Sequence, residues 1–164
     1  MKRPACLIFL LCLLLSGCGT SGERIKEPVT FYYLQTKYAY GSEGSVIGSE
    51  EREASGHRRD LSYLLTLYLM GPSSEGLASP IPTGTRILSV AQSGTNIQLI
   101  LSDSAAALTD AEYSLACACL TLTCLDLTKA ENITVTCGSR SVTMNRENLI
   151  LYDSSTAVPT EETQ

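Results

Sequence analysis

A single histidine, His57, stands in 164 residues, and no Gly-x-Ser-x-Gly elbow occurs anywhere. A serine hydrolase needs an imidazole base beside an exposed nucleophile. His57 lies in the charged stretch EREASGHRRD and reads as a solvated loop residue. Positive charge is scarce too, with 12 Lys and Arg against 17 Asp and Glu. No basic stripe forms, which argues against nucleic acid as a partner and against electrostatic docking on anionic lipid. Paired-carboxylate chemistry finds no footing either. Glu50, Glu51 and Glu53 read as a surface run, and Asp103 and Asp110 as turn and cap residues. These absences leave no constellation for catalysis, so the chain is expected not to be an enzyme.

What is present begins at the N-terminus. Lys2 and Arg3 precede an apolar run from Ala5 to Leu15, followed by Leu15-Ser16-Gly17-Cys18. A charged start, an apolar centre and a small-residue cleavage site are the anatomy of an export signal. The run falls short of the roughly 20 residues that a membrane-spanning helix needs. A cysteine directly after Ser-Gly marks a bacterial lipoprotein signal, cut before Cys18, whose thiol is then lipidated. An ordinary signal peptide with an incidental cysteine is the alternative, and the lipobox spacing favours lipidation. Residues 1–17 are thus expected to be the signal, with Cys18 as the lipidated mature end on the extracytoplasmic face of the cell membrane. The leader holds two of the 12 basic residues and none of the 17 acidic ones. The mature chain therefore has a formal charge of −7 (10 basic against 17 acidic).

Residues 18–27 read as a polar tether, 28–153 as one domain, and 154–164 as a tail without periodicity. The domain opens with a β-branched and aromatic run from Val29 to Leu34, a strand by propensity. A short strand is expected around Val46–Ser49 within a Gly/Ser-rich passage. Leu61, Leu64, Leu65, Tyr68 and Leu69 recur at helical spacing, with Asp60 as cap and Gly71-Pro72 as stop. Two apolar runs, 86–90 and 96–101, flank Ser93-Gly94 and read as a hairpin. Thr109-Asp110-Ala111-Glu112 has the order of a capping box, so a buried helix is expected from Asp110 to about Leu127. Residues 132–137 and 141–144 read as the last strands. The expected fold is α+β, in the order β-(β)-α-β-β-α-β-β. It places two helices on one face of a small mixed or antiparallel sheet.

Three features invite a site and are weighed by geometry. Gly71 and Gly76 have the spacing of half a phosphate loop, but a helix precedes and a strand follows, and no Lys-Ser/Thr comes after Gly76. They read as a helix stop and turn. Cys117 and Cys124 lie about 10 Å apart along the second helix, and Cys117 and Cys119 point about 160° apart. No two of these three bridge or share a metal, because a disulfide needs Cα atoms within about 7 Å. A bond from one of them to Cys137 stays open; otherwise the four are buried free thiols. No metal or cofactor is expected. Tyr32, Tyr33, Tyr38 and Tyr40 form an aromatic cluster that reads either as a binding platform or as core and edge packing.

The set Leu69-Met70-Gly71-Pro72, then Leu77-x-Ser79-x-Ile81-Pro82-x-Gly84-Thr85, resembles the GerM domain, a sporulation and spore-germination family of Gram-positive bacteria. A strand containing Val90, a second ending at Ser102, the helix from Asp110 and the strand 132–137 fit the same plan. The resemblance spans roughly residues 29–152. Two departures stand out: Leu101-Ser102-Asp103 lacks the acidic residue before the serine, and Gly41–Ser49 replaces an arginine-rich first strand pair. The resemblance implies an extracytoplasmic, membrane-attached domain without enzymatic chemistry, similar to ring-building modules that associate side by side. Its partners would be other envelope or sporulation proteins, or further copies of itself. The alternative is a lipoprotein that binds a small envelope ligand such as a peptidoglycan fragment, using the tyrosines and the 71–85 loop.

Overall fold

The computed structural model describes residues 26–37 and 45–149. The signal segment, Cys18, Tyr38, Tyr40 and the C-terminal tail lie outside those residues. Within them the fold is α+β, with seven strands, two α-helices and one 3-10 turn.

The first strand, β1 (Pro28–Gln35), turns Val29, Phe31 and Tyr33 inward at alternate positions, as a half-buried strand must. It pairs antiparallel with β2 (Ile47–Glu53), from Pro28 opposite Glu53 to Leu34 opposite Ile47. This second strand is longer than the stretch around Val46–Ser49 that propensity suggests. Its charged end is held by pairing with β1, not by its own residue preferences. A two-residue strand, β3 (Leu77–Ala78), pairs with Leu34 and Gln35 on the other side of β1.

Helix α1 (Leu61–Leu69) starts where the Asp60 carboxylate accepts from the Tyr63 N–H at 3.0 Å. It buries Leu64, Leu65 and Tyr68. The Tyr68 ring stacks on Tyr33 at 4.7 Å and meets Phe31 edge-on at 5.8 Å. Such pairs add about 0.5–1.5 kcal/mol beyond the area they bury, and they fasten α1 to β1. The helix stops at Gly71, whose φ of +86 is the left-handed cap conformation.

The hairpin of β4 (Ile87–Ser93) and β5 (Asn96–Leu101) turns at Gly94. After the 3-10 turn Asp103–Ala107, helix α2 (Asp110–Leu127) begins with the full capping box. Thr109 Oγ1 accepts from the Glu112 N–H, and the Glu112 carboxylate accepts from the Thr109 N–H. Helix α2 then leads into β6 (Asn132–Cys137), which runs parallel to β5 and pairs antiparallel with β7 (Arg140–Met144).

The strands form two sheets, β2-β1-β3 and β4-β5-β6-β7, where the sequence suggests one. Helix α2 takes up part of the edge of β1 turned away from β2. There the Tyr32 N–H donates to Thr123 Oγ1 of α2 at 3.1 Å. A helix, rather than a strand of the other sheet, thus covers that part of the edge. Because α2 packs against β1, β6 and β7, it is buried nearly all round between Ala116 and Leu125.

Candidate functional site

The stretch with half a phosphate-loop spacing does bind an anion, and the chain provides it. The backbone N–H groups of Ser73 and Ser74 donate to the Glu50 carboxylate at 2.8–3.1 Å. Arg52 Nε donates to the same carboxylate at 2.8 Å. The Arg52 guanidinium also reaches back to the carbonyls of Leu67 and Gly71, capping the C-terminal end of α1. Glu50 is 8% exposed, so its place in a surface run is corrected. Burial alone would raise its pKa, but the Ser74 hydroxyl, the two N–H groups and Arg52 outweigh it and hold the carboxyl below its ordinary value.

The rest of the motif loop is likewise occupied with its own geometry. Ser79 Oγ donates to the Ile81 carbonyl at 3.0 Å and accepts from the Ile81 N–H at 3.2 Å. Thr85 Oγ1 donates to the Pro82 carbonyl at 2.8 Å. Ser102 Oγ accepts from the Arg86 N–H at 3.0 Å, which ties the end of β5 to the approach of β4. These residues build turns and joints.

Of the four tyrosines, Tyr32 and Tyr33 lie among the described residues, and their hydroxyls go to different partners. Tyr33 is wholly buried and donates its hydroxyl to the Tyr68 carbonyl at 3.0 Å. Tyr32 is half-buried and donates to Asp126 at 2.7 Å. Burial and then that bond push the Tyr32 hydroxyl up to about 12. His57 is exposed and its ring stacks on Tyr63 at 4.1 Å.

All four cysteines of the domain are buried and free. Burial pushes Cys117 up to about 11 and Cys119 and Cys124 up to about 12. Burial, with Asp103 nearby, also raises Cys137, whose Sγ donates to the Ser102 carbonyl at 3.4 Å. Thiols held protonated in this way are poor nucleophiles and poor metal ligands. Among the described residues, no three His, Cys, Asp or Glu side chains come together as a metal site.

One surface feature had no single sequence signal. Two adjoining cavities, of about 490 and about 320 Å³, share Arg59, Leu61 and Gln92 and so make one groove. It runs beside the start of α1, past Val90 and Gln92 of β4, to Thr128 and Lys129 after α2. Its parts come from three separate segments, each of which reads as ordinary surface when taken alone.

The architecture defines an α+β domain in which one long buried helix separates a small antiparallel sheet from a mixed one. That fold is shared with the tandem GerMN domains of the sporulation protein GerM from Bacillus subtilis. The TM-score is 0.54 at 18% identity, over 75% of this chain and 43% of that one. The chain thus spans less than half the length of that tandem structure. A Clostridium perfringens protein described as a candidate lipoprotein is also similar, with TM-score 0.47 and 17% identity over 73% of this chain and 89% of that one. No protein-family profile matches the sequence, and no curated protein does.

Proposed function

We propose that this chain is a lipid-anchored, extracytoplasmic interaction domain, working without enzymatic chemistry in sporulation, spore germination or related envelope processes. The observation that carries the reading is the fold shared with the GerMN domains of a sporulation protein. The lipobox ending at Cys18 supports attachment to the membrane. Two acyl chains or more hold a protein stably at a bilayer, whereas one is marginal. The non-enzymatic part draws support from the groups that otherwise invite chemistry. The amides of Ser73 and Ser74 are taken by Glu50, and the thiols are buried and protonated.

The small-ligand alternative draws less support from the described part of its suggested site. Tyr33 belongs to the core, and the 71–85 loop is engaged with Glu50 and with its own turns. The test is cross-linking and capture of the full-length protein from membranes of growing and sporulating cells, beside a Cys18→Ala variant. Recovery of a defined partner or of self-association is expected, with the variant released from the membrane fraction. Failure to recover either with the wild-type protein sinks the interaction reading. A Cys18→Ala protein that stays on the membrane sinks the lipid anchor.

A further inference from the structure

We propose that the groove between His57 and Lys129 is a docking site for an acidic, partly apolar segment of a partner protein. The proposal rests on the reading of this domain as an interaction module. Its basis is charge set against the rest of the molecule. The chain carries a formal net charge of −5, yet Arg58, Arg59 and Lys129 all line this one groove. The only carboxylate in the lining is Asp60, which accepts from the neutral Tyr63 N–H as the cap of α1 and keeps its charge, so the lining sets three cations against one carboxylate. Among the described residues the ion pairs are Arg52–Glu50 and Arg146–Asp126, and none of the three groove cations takes part in either. Arg58 donates to the Pro28 carbonyl, a neutral acceptor that leaves its charge uncompensated.

The lining is not uniformly polar. Leu61, Val90 and Leu127, each partly exposed, lie among the cations, and Gln92 adds an amide that both donates and accepts. Guanidinium groups suit carboxylates, which they bind through paired hydrogen bonds, while the aliphatic residues suit a branched apolar side chain. A ligand with both features in alternation is a peptide segment bearing Asp or Glu and Leu- or Val-like residues. A groove lined from three segments favours a chain laid into it over a flat lipid surface. The cations are exposed, so the contact is expected to weaken as salt screens it.

The test titrates the full-length protein into a labelled peptide of alternating aspartate and leucine. A matched asparagine–leucine peptide, inorganic phosphate and phosphatidylglycerol vesicles form the other arms. Saturable binding of the aspartate peptide is expected, with no binding of the asparagine peptide. The double variant Arg59→Glu/Lys129→Glu should lose at least tenfold in affinity, and Arg59→Gln and Lys129→Gln several-fold each, with melting temperatures checked for all. Absence of peptide binding, or equal binding by wild type and variants, overturns the proposal. Charge-dependent binding of vesicles alone assigns the groove to lipid headgroups, and binding of phosphate alone assigns it to small anions; either result overturns it too. In the membrane capture, a partner retained by the double variant overturns the groove but leaves the interaction module standing. If the wild type captures nothing, that module reading falls, and the peptide titration still decides the groove.

Discussion

The loop after α1 and the groove beside the start of α1 are both suited to a negative charge, and they differ in who supplies it. At the loop, two backbone amides and Arg52 converge on Glu50, a carboxylate from β2. At the groove, Arg58, Arg59 and Lys129 gather without an ion-pair partner among the described residues. The first arrangement is a joint: it fixes where α1 ends and where the motif loop begins. The second leaves its charge for something outside the domain. The same interaction chemistry therefore serves architecture in one place and recognition in the other, and burial separates the two, since Glu50 is enclosed while the groove cations are exposed.

Breaking the joint should have the largest effect on stability. Glu50→Ala leaves two amides and Arg52 Nε without their acceptor and the guanidinium without its counter-charge, and removing one partner of a buried pair costs roughly 3 kcal/mol or more. Urea unfolding at neutral pH reads this directly, and a loss well under 1 kcal/mol would contradict the joint. The pH dependence follows from the same carboxylate. Its pKa is lowered in the folded protein from an ordinary value of 4.5, so its stabilisation is full above that value and fades as pH falls through the lower folded value. Glu50→Gln should flatten that part of the acid limb of stability, measured by urea unfolding between about pH 5 and pH 3.

A smaller effect is expected where β2 passes the short strand β3. A methyl group added at Gly48 would sit 2.8 Å from Leu77 Cδ2 and 3.2 Å from Gln35 Cγ. Gly48→Ala makes those side chains shift, and because Gln35 is exposed and Leu77 half-buried, the cost should stay at or below about 1 kcal/mol, the low end for overpacking. The loss should appear as a lower urea midpoint with an unchanged slope. If the midpoint does not move, the contact between β2 and the motif loop is looser than this structure shows.

Much of the fold was legible because it is written in neighbouring residues. Thr109 and Glu112 announce α2 three residues apart, and Leu61 to Leu69 announce α1 by periodicity. The turns at Gly94 and Gly138 mark the two hairpins. What stayed hidden depends on partners far along the chain. Glu50 looks like its charged neighbours until Ser73 and Ser74 arrive from the other side of α1. The bond from Tyr32 to Thr123 ties β1 to α2 across 91 residues, and no local pattern foretells it. The groove draws on residues around 57–64, 90–92 and 127–129, and no spacing rule joins such segments. Charge signals in sequence count residues, whereas sites depend on where the residues meet.

The smallest stability effect is expected at the groove, and that smallness is what sharpens the contrast. Arg59 is exposed and takes part in neither ion pair of the described residues. Replacing it with glutamine keeps a polar side chain and removes one positive charge from a cluster of three. Exposed substitutions away from caps, cores and buried networks usually stay within about 0.5 kcal/mol. Relief of repulsion between neighbouring cations can even favour the variant slightly, because like charges at close range oppose folding. Arg59→Gln should therefore unfold in urea within about 0.5 kcal/mol of wild type. A loss above 1 kcal/mol would show that Arg59 supports the fold as Arg52 does, and the two regions would then be joints of the same kind.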